Sequence, residues 1–320
     1  MTVIGVDLGA TKIAGALFTH EGEILHRQSA QLDKKTGPEV GALIKDLILD
    51  LVKAAGDKSV HAVGTCVPGI SWSETGRVWA PNIPGWEDYP LRDELRSMLA
   101  TRNIKVSVDS DRSCSILGEA WKGAAGGCSD AIFVAVGTGI GAGILVDGKV
   151  LRGAHDISGA IGWMALDRPF REPYVECGCF EHHASGAGIA KVARELLSAQ
   201  PDYDGVLRNR PANLLTAHDI FAAFESNDVI AQEVLQQAVS YWGMAAANLV
   251  SLFNPEVIIF GGGIFGPARR FLDMIAREAR RWAQPISITK ARFETSLLGG
   301  DAALYGAGYL ALRVAGAANA

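Results

Sequence analysis

The sequence predicts an α/β protein of two related lobes with a cleft between them. A strand, a polar glycine-containing turn and a second strand occur near residue 8 and again near residue 138. After each hairpin, strand-length apolar runs alternate with segments of helical periodicity. The pattern restarts after residue 118. We therefore expect a small lobe over residues 1–118, closed by a C-terminal helix over 301–320, and a large lobe over 119–300.

Composition places the chain among globular enzymes. Its 320 residues suffice for two domains, and 48% of them are hydrophobic. The formal net charge of −5 argues against nucleic-acid and membrane-surface partners. No apolar run reaches the ~18 residues needed to span a bilayer, and the first residues do not resemble a signal peptide. The five cysteines are an odd number, which is typical of a reduced protein, so we expect a cytoplasmic location.

The first lobe is predicted to open with a hairpin. Two apolar runs, 4–8 and 13–18, flank a small-residue turn, which favours paired strands rather than a strand feeding a helix. A helix is predicted over 40–55, where apolar residues recur at helical spacing. The other predicted elements of this lobe are strands over 24–30, 61–67 and 104–108, and helices over 91–100 and 113–124.

The second lobe repeats this order. A strand over 131–136 leads into a glycine loop, and another strand begins at 144. A long helix over 229–253 ends at Asn254-Pro255, because proline cannot continue it. A buried strand over 257–260 runs into three glycines, and a helix over 302–314 closes the chain.

Three glycine loops, each after an apolar strand, indicate phosphate or nucleotide binding. Glycines let the backbone approach a ligand, and exposed amides, a threonine hydroxyl and a lysine ammonium suit phosphate oxygens. A carboxylate at a strand end can also hold Mg²⁺ through water, and Asp7 is so placed. No loop matches the Walker pattern. The candidate residues are Asp7, Gly9, Ala10, Thr11 and Lys12 in the first loop, Gly137, Thr138 and Gly139 in the second, and Gly261, Gly262 and Gly263 in the third.

A dinucleotide-binding fold is the alternative for the second loop. The loop contains Gly-x-Gly-x-x-Gly if Ala142 takes the last place. That fold requires a helix directly after the loop and an acidic residue about 20 positions later. Residues 144–148 are instead typical of a strand and a turn, so we expect a hairpin.

The order of motifs resembles the ROK family (repressors, open reading frames and sugar kinases) of the actin/hexokinase superfamily. The resemblance implies a two-lobed, actin-like (ribonuclease H-like) duplicated fold, an ATP- and Mg²⁺-dependent kinase acting on a sugar or sugar-like polyol, and a homodimer. It covers nearly the whole chain. The segments that carry it are 7–12, 81–86 (Pro-Asn-Ile-Pro-Gly-Trp), 109–111 with 117–119, 137–143, 178–181 (Gly-Cys-Phe-Glu), 254–263 and 298–307.

The resemblance also implies residue roles. Asp111 would be the general base that accepts the proton of the attacking hydroxyl. Its alternative role is to cap the following helix, and both roles can hold together. The implied substrate-binding residues are Pro68, Gly69, Asn82, Ser110, Asp111, Ala160, Trp163 and Glu181.

The departures from the family pattern concern the acceptor side. Ser110 stands where the family has asparagine, and Ala160 and Trp163 replace a carboxylate and an imidazole, whereas Glu181 is kept. A buried sugar hydroxyl without a partner costs about 1–3 kcal/mol. The sequence therefore predicts an acceptor other than ordinary glucose, such as a cyclitol, a keto-cyclitol or a modified sugar. Drift at a packing position is the other interpretation.

The structural zinc of the family is not expected. Trp163, Glu172 and Tyr174 occupy three ligand positions, and only Cys179 matches. A zinc site needs about four nitrogen or sulfur ligands. The alternative is an improvised site formed by Cys177, Cys179, His182 and His183, although the histidine pair is expected at the surface start of a helix.

Two non-catalytic functions compete with the kinase. Repressors of the family carry a DNA-binding helix-turn-helix before the first loop, and only six residues precede Asp7. A pseudokinase would be expected to lose its base or its phosphate loops, yet Asp111 and both loops are present.

Overall fold

The computed structural model describes residues 1–316, which form two compact units. The first unit comprises Met1–Ser129, Gly143–Ser158 and the chain from Ser296 onward, and the second comprises Asp130–Ala142 and Gly159–Thr295. The units thus share the chain in alternating segments. The lobe boundaries expected from the sequence remain a prediction, and the last part of the expected helix, 317–320, lies outside the described residues.

The first unit contains a five-stranded sheet of order β3-β2-β1-β4-β7. The predicted hairpin is present, with β1 and β2 antiparallel in the register Leu8 to Ile13, and β1, β4 and β7 are parallel. A two-stranded sheet of β5 and β6 lies between β4 and β7 in sequence. The strands are β1 (Thr2–Leu8), β2 (Lys12–Thr19), β3 (Ile24–Gln31), β4 (Val60–Val67), β5 (Ile70–Ser71), β6 (Val78–Trp79) and β7 (Lys105–Ser110).

Four helices cover this sheet. The apolar stripe of the first helix, including Ile44, Leu47 and Leu51, is buried with the strand side chains, as its periodicity predicts. The last helix contributes Leu304 and Leu312 to a second core with Val3 and Phe18. The helices are α1 (Pro38–Ala54), α2 (Leu91–Leu99), α3 (Asp111–Lys122) and α10 (Ala302–Ala315).

Helix α3 packs closely on α10 through glycine. A Cβ atom added at Gly118 would lie 2.1 Å from the Ala302 carbonyl oxygen. The fully buried carboxylate of Glu119 then accepts hydrogen bonds from the Leu298 amide (3.2 Å), the Ala124 amide (2.7 Å) and the Ser296 hydroxyl. The Gly118-Glu119 pair therefore fixes α3 to the C-terminal segment of the same unit.

The second sheet repeats the strand order of the first. Its order is β10-β9-β8-β11-β12, with β8, β11 and β12 parallel and β9 and β10 antiparallel. Each sheet thus has three parallel strands and a hairpin edge, which is the duplication that the sequence predicts. The strands are β8 (Ala131–Val136), β9 (Ile140–Val146), β10 (Lys149–Val150), β11 (Val257–Gly261) and β12 (Arg292–Thr295).

The remaining helices belong to the second unit. The long helix α8 is capped at its start by Asp228 and ends at Asn254, whose left-handed conformation (φ 47°) precedes Pro255. These helices are α4 (Tyr174–Cys177), α5 (Cys179–Ala184), α6 (Gly186–Ala199), α7 (Ala217–Glu225), α8 (Val229–Phe253) and α9 (Leu272–Trp282). None of the helices within residues 1–316 is both long and apolar enough to span a membrane.

Two expectations are decided by the fold. The second glycine loop joins β8 directly to β9 without a helix, so the dinucleotide-binding alternative is excluded. The expectation that His182 and His183 lie at a surface helix start is wrong, because both side chains are buried. The ring of His183 stacks on Tyr241 at 4.4 Å between centroids and has its Nε2 2.8 Å from the Tyr174 hydroxyl.

Candidate functional site

The first glycine loop connects β1 to β2. The Gly9 amide donates to the Lys12 carbonyl at 2.9 Å, which closes the turn. Ala10, Thr11 and Lys12 are exposed. The hydroxyl and the ammonium that the sequence assigns to phosphate are thus accessible to a ligand.

Two acidic residues and a cysteine lie side by side where the parallel strands end. Asp7 on β1 pairs in register with Cys66 on β4, and Cys66 pairs with Asp109 on β7. Burial raises the pKa of Asp7, while a hydrogen bond from the Cys66 thiol and the nearby Lys12 ammonium partly offset that rise. The carboxyl ends of parallel strands lie at one edge of a sheet, and ligands in α/β proteins bind at such edges.

Asp111 begins α3, directly after β7, and is partly buried. Burial raises the pKa of Asp111 to about 6. The Arg112 guanidinium and the Arg112 amide, which donates to Oδ1 at 2.8 Å, lower this pKa, whereas the negative charge of Asp7 raises it. A carboxylate with a pKa near 6 is a stronger base than an ordinary aspartate and is still ionised at neutral pH.

Ser110, not Asp111, caps helix α3. The Ser110 hydroxyl oxygen accepts from the Ser113 amide at 3.3 Å and lies 3.0 Å from the Ser113 hydroxyl. The helix begins two residues before the position predicted, and Asp111 occupies its first turn. The capping alternative for Asp111 is therefore wrong, and its carboxylate is left for another role.

Arg152 holds the end of β7 and was not found from the sequence. Its guanidinium contacts both carboxylate oxygens of the buried Asp109, with Nη1 3.0 Å from Oδ1 and Nη2 against Oδ2. Asp156 lies 3.8 Å from the same guanidinium and accepts from the Ser73 amide at 2.9 Å. The sequence offered only a weak signal for this ion pair, namely an arginine just after a hairpin and four residues before an aspartate.

The remaining acceptor candidates of the first unit lie in loops. Pro68 and Gly69 follow the end of β4, and Asn82 is exposed in the loop after β6. Trp86 anchors that loop, because its buried indole donates to the Gly37 carbonyl at 2.9 Å and stacks on Tyr89 at 4.3 Å.

The second glycine loop lines a cavity in the second unit. Gly137 and Thr138 form one wall, and their carbonyls accept from the first amides of α6, Gly186 (2.8 Å) and Ala187 (3.3 Å). The cavity has a volume of about 430 Å³. Its lining is mostly small and apolar, which suits the flat face of a base.

Two walls of this cavity were missed by the sequence reasoning. One is the N-terminal half of α6 with Arg194, and the other is the start of α7. The capping box of α7, with Thr216 and Asp219 bonded reciprocally, was a readable signal for a helix start there. The residues missed are Gly186, Ala187, Ala190, Arg194, Leu215, Thr216, Ala217, His218 and Ile264.

The third glycine loop reaches this cavity through one residue. Gly263 lines it, whereas Gly261 ends β11 and Gly262 makes the turn that follows with φ 89°. Gly139 of the second loop also lies outside the lining and packs against Glu181.

Glu181 in α5 supports the second glycine loop. Its Oε2 accepts from the Ile140 amide at 2.6 Å. Burial raises the pKa of Glu181, and the hydrogen bond from the Ile140 amide partly offsets the rise. Ala160 directly precedes a short 3-10 turn, Ile161–Trp163, which ends with Trp163 and whose Gly162 lies against the Glu181 side chain. The structure therefore groups Ala160, Trp163 and Glu181 in one part of the second unit.

No metal cluster replaces the family zinc motif in residues 1–316. Within that range, no group of three or more His, Cys, Asp and Glu side chains is arranged to hold a metal ion. Burial lowers the pKa of His182 to about 4 and also lowers that of His183, so both rings are neutral at physiological pH.

The chain matches one protein family model over almost its full length. The model of the ROK family covers residues 3–314. Among curated relatives, a glucokinase from Halalkalibacterium halodurans is 34% identical over 96% of this chain and 94% of its own length. A xylose repressor from Caldicellulosiruptor bescii is 32% identical over 81% of this chain and 65% of its own length.

Solved structures show the same fold. A ROK hexokinase from Thermus thermophilus superposes with a TM-score of 0.79 at 29% identity, covering 98% of this chain and 100% of that one. A ROK family glucokinase from Streptomyces griseus, in complex with glucose and AMPPNP, gives a TM-score of 0.74 at 29% identity with the same coverage. Its family model, its relatives and its duplicated, actin-like α/β fold together show that this chain belongs to the ROK family.

Proposed function

We propose that the protein is an ATP-dependent kinase that transfers the γ-phosphoryl group to a hydroxyl of a sugar, with Asp111 as the general base. The observation that carries this proposal is the place of Asp111 in the first turn of α3, directly after the parallel strand β7, where burial raises its pKa to about 6. Sugar kinases among the relatives supply the reaction class.

The nucleotide is assigned to the glycine loops. The small, apolar cavity next to Gly137 and Thr138 fits a purine, with Gly263 on another wall. The exposed Thr11 and Lys12 of the first loop would bind phosphate oxygens. The complex of a relative with glucose and AMPPNP supports the binding of a nucleotide.

Asp7 would hold the Mg²⁺ of the nucleotide through water. Asp7 ends β1 at the sheet edge next to the first glycine loop, and its negative charge also raises the pKa of Asp111, so a cation bound there would offset that charge. When bound, the metal neutralises charge on the phosphate groups. The protein's own part is to orient these groups and to receive the proton.

In the proposed chemical step, Asp111 is the proton acceptor. Its carboxylate accepts the proton of the acceptor hydroxyl as that oxygen bonds to the γ-phosphorus. The bond between the γ-phosphorus and the bridging oxygen of ADP breaks, and ADP leaves. A base with a pKa near 6 is ionised at neutral pH and holds the proton better than an ordinary aspartate does.

The acceptor is assigned to sugars other than unmodified glucose. Ala160 and Trp163 offer a methyl and an indole where the family has a carboxylate and an imidazole, so fewer ring hydroxyls find partners. A cyclitol or keto-cyclitol is the alternative acceptor. Comparison of kcat/KM across hexoses, ketoses, inositols and inososes decides between these classes, and glucose as the best substrate would refute the assignment.

The decisive test of catalysis is Asp111→Asn. The amide keeps the shape of the side chain and removes the base, so we expect kcat for ADP release to fall by about 10²–10⁴-fold. Asp46→Asn on the exposed face of α1 is the matched control and should keep full activity. Equal turnover by wild type and Asp111→Asn would remove Asp111 from the chemistry.

The alternative of a different class is a sugar-binding regulator without catalysis. It is raised by the xylose repressors among the relatives. It predicts that wild-type protein binds sugar but releases no ADP, whereas the kinase releases ADP only when an acceptor is present.

A further inference from the structure

A second and larger cavity of the second unit lies beside the proposed acceptor residues. Its volume is about 1220 Å³. Cavities for drug-sized ligands span roughly 300–1,000 Å³, so the space exceeds what a single sugar ring requires. It is formed by the chain between the 3-10 turn at 161–163 and the start of α5.

The walls of this cavity are mostly apolar and aromatic, and the charged Asp167 and Arg168 also line it. Trp163, Phe170 and Val175 line it and are 57%, 69% and 58% exposed. Leu166 and the buried Tyr174 complete the apolar lining. Three exposed apolar side chains around one concavity are unusual in a soluble protein and mark a surface that is covered by a ligand or partner.

Trp163 belongs both to the lining of this cavity and to the proposed acceptor-binding residues of the second unit. Gly178, another lining residue, packs so closely that an added Cβ would lie 2.6 Å from the Trp163 Cα atom. Gly178 directly precedes α5, which carries Glu181 in its first turn. Gly162, in the turn that ends at Trp163, lies against the Glu181 side chain, so the same short segment contacts Glu181 and contributes Trp163 to the cavity.

We propose that the acceptor is a sugar carrying an apolar aromatic or alkyl group, and that this group occupies the cavity lined by Trp163, Phe170 and Val175. The inference rests on the proposed sugar-kinase function and names its substrate class. The indole takes the place of a polar family residue, and stacking against an aromatic or alkyl group is the interaction it offers. The exposed Phe170, whose ring lies 6.0 Å from that of Tyr174 in an edge-on arrangement, extends the same wall.

The test compares methyl, phenyl and octyl glucosides of both anomers as acceptors with Mg-ATP. Phenyl or octyl glucoside should exceed methyl glucoside in kcat/KM by about tenfold, because only their apolar groups bury surface in the cavity. Phe170→Ala should reduce that ratio severalfold. Leu252→Ala, which removes an exposed apolar side chain from α8 in the same unit, is the matched control and should leave the ratio unchanged.

Several results would overturn the inference. A ratio near one in the wild type, or a ratio unaffected by Phe170→Ala, would mean that no substituent occupies the cavity. An unchanged ratio together with a smaller assembly for Phe170→Ala in sedimentation would assign the surface to a second copy of the chain.

Failure of the kinase proposal is detected separately. If no sugar or glucoside is phosphorylated, the proposed function fails, and calorimetry with the same glucosides still tests the cavity. Phenyl glucoside should then bind the wild type about tenfold more tightly than methyl glucoside, and Phe170→Ala should lose that difference. Equal binding of the two glucosides would overturn the inference.

Discussion

At the scale of single residues, the site depends on the charge balance around Asp111. Burial and the Asp7 carboxylate raise its pKa, and Arg112 lowers it. The resemblance to the ROK family implied the role of this aspartate, and the Ser110 cap is a contact within one local segment. The Arg152–Asp109 ion pair joins residues that are far apart in the sequence, and no local pattern encodes it. The residue types and the positions of the motifs could therefore be predicted from the sequence. The contacts that side chains make with distant segments could not.

The pH dependence of the reaction should report Asp111. The protonated acid cannot accept a proton, so kcat/KM should rise with pH through about 6 and then level off. Arg112→Ala removes a positive charge that lowers this pKa, so the rising limb should move to higher pH. Arg102→Ala, an exposed arginine of the same unit, should leave it in place. A flat profile across this range would exclude Asp111 as the titrating base.

The raised pKa also predicts that ionised Asp111 lowers the free energy of unfolding. Its folded-state pKa of about 6 is higher than the ordinary value of 3.8, so the fold disfavours the ionised form. This penalty is fully present above the folded pKa and disappears as pH falls below the ordinary one. Asp111→Asn should therefore raise the free energy of unfolding by about 1–3 kcal/mol near pH 8.

Urea unfolding of both proteins at several pH values checks this prediction. The gain should shrink as pH falls through about 6 and disappear only below the ordinary pKa of 3.8, where the wild-type carboxyl is protonated in both the folded and the unfolded state. Asp46→Asn should give no comparable gain. An Asp111→Asn protein that is less stable than the wild type near pH 8 would contradict the burial argument.

At the scale of elements, long periodic segments were predicted well and short ones were not. Helix α8 spans Val229–Phe253 as predicted, because its caps and apolar stripe are local signals. Helix α5 and the turn at 161–163 carry Glu181 and Trp163, which are acceptor candidates of the second unit, but these elements are too short to show a period. Contacts such as that between Glu181 and the Ile140 amide hold them in place, and a single sequence does not display such contacts.

The position of Asp111 depends on the close packing of helix α3 against α10. Gly118→Ala would place a Cβ 2.1 Å from the Ala302 carbonyl oxygen of α10, so α3 must shift. We expect a loss of about 1–3 kcal/mol in the free energy of unfolding, together with a lower kcat because α3 begins with Asp111. Gly300→Ala, where nothing lies within 4 Å of the added atom, is the matched control. Thermal unfolding and ADP release measured on both variants check the prediction, and equal melting temperatures would contradict it.

At the scale of the whole molecule, duplication was predictable and the exchange of chain between units was not. Both sheets have the same strand order, and the hairpin pattern that occurs twice in the sequence predicted this duplication. The first unit nevertheless gathers three separate stretches of chain. Arg152 with Asp109 joins the middle stretch to the first, and Glu119 with Leu298 joins the last.

The Arg152–Asp109 pair should be the most costly ion pair of the first unit to break. Arg152→Met would leave the buried Asp109 carboxylate without its partner, so we expect a loss of about 3–5 kcal/mol in the free energy of unfolding. Arg27→Met breaks the exposed pair with Asp301 and should cost less than about 1 kcal/mol. Urea unfolding compares the two variants, and equal losses would show that burial of Asp109 does not set the cost.

Helix α10 is also the last element of the described chain to leave the ribosome. The side chains of Leu304 and Leu312 complete a core that Val3 and Phe18 begin. During translation, the face of the first sheet that α10 covers therefore stays open until α10 has been made, whereas all residues of the second unit, Asp130–Ala142 and Gly159–Thr295, have been made by then. The second unit should acquire protease resistance first on stalled nascent chains, and the first unit should depend on holding chaperones until α10 has been made.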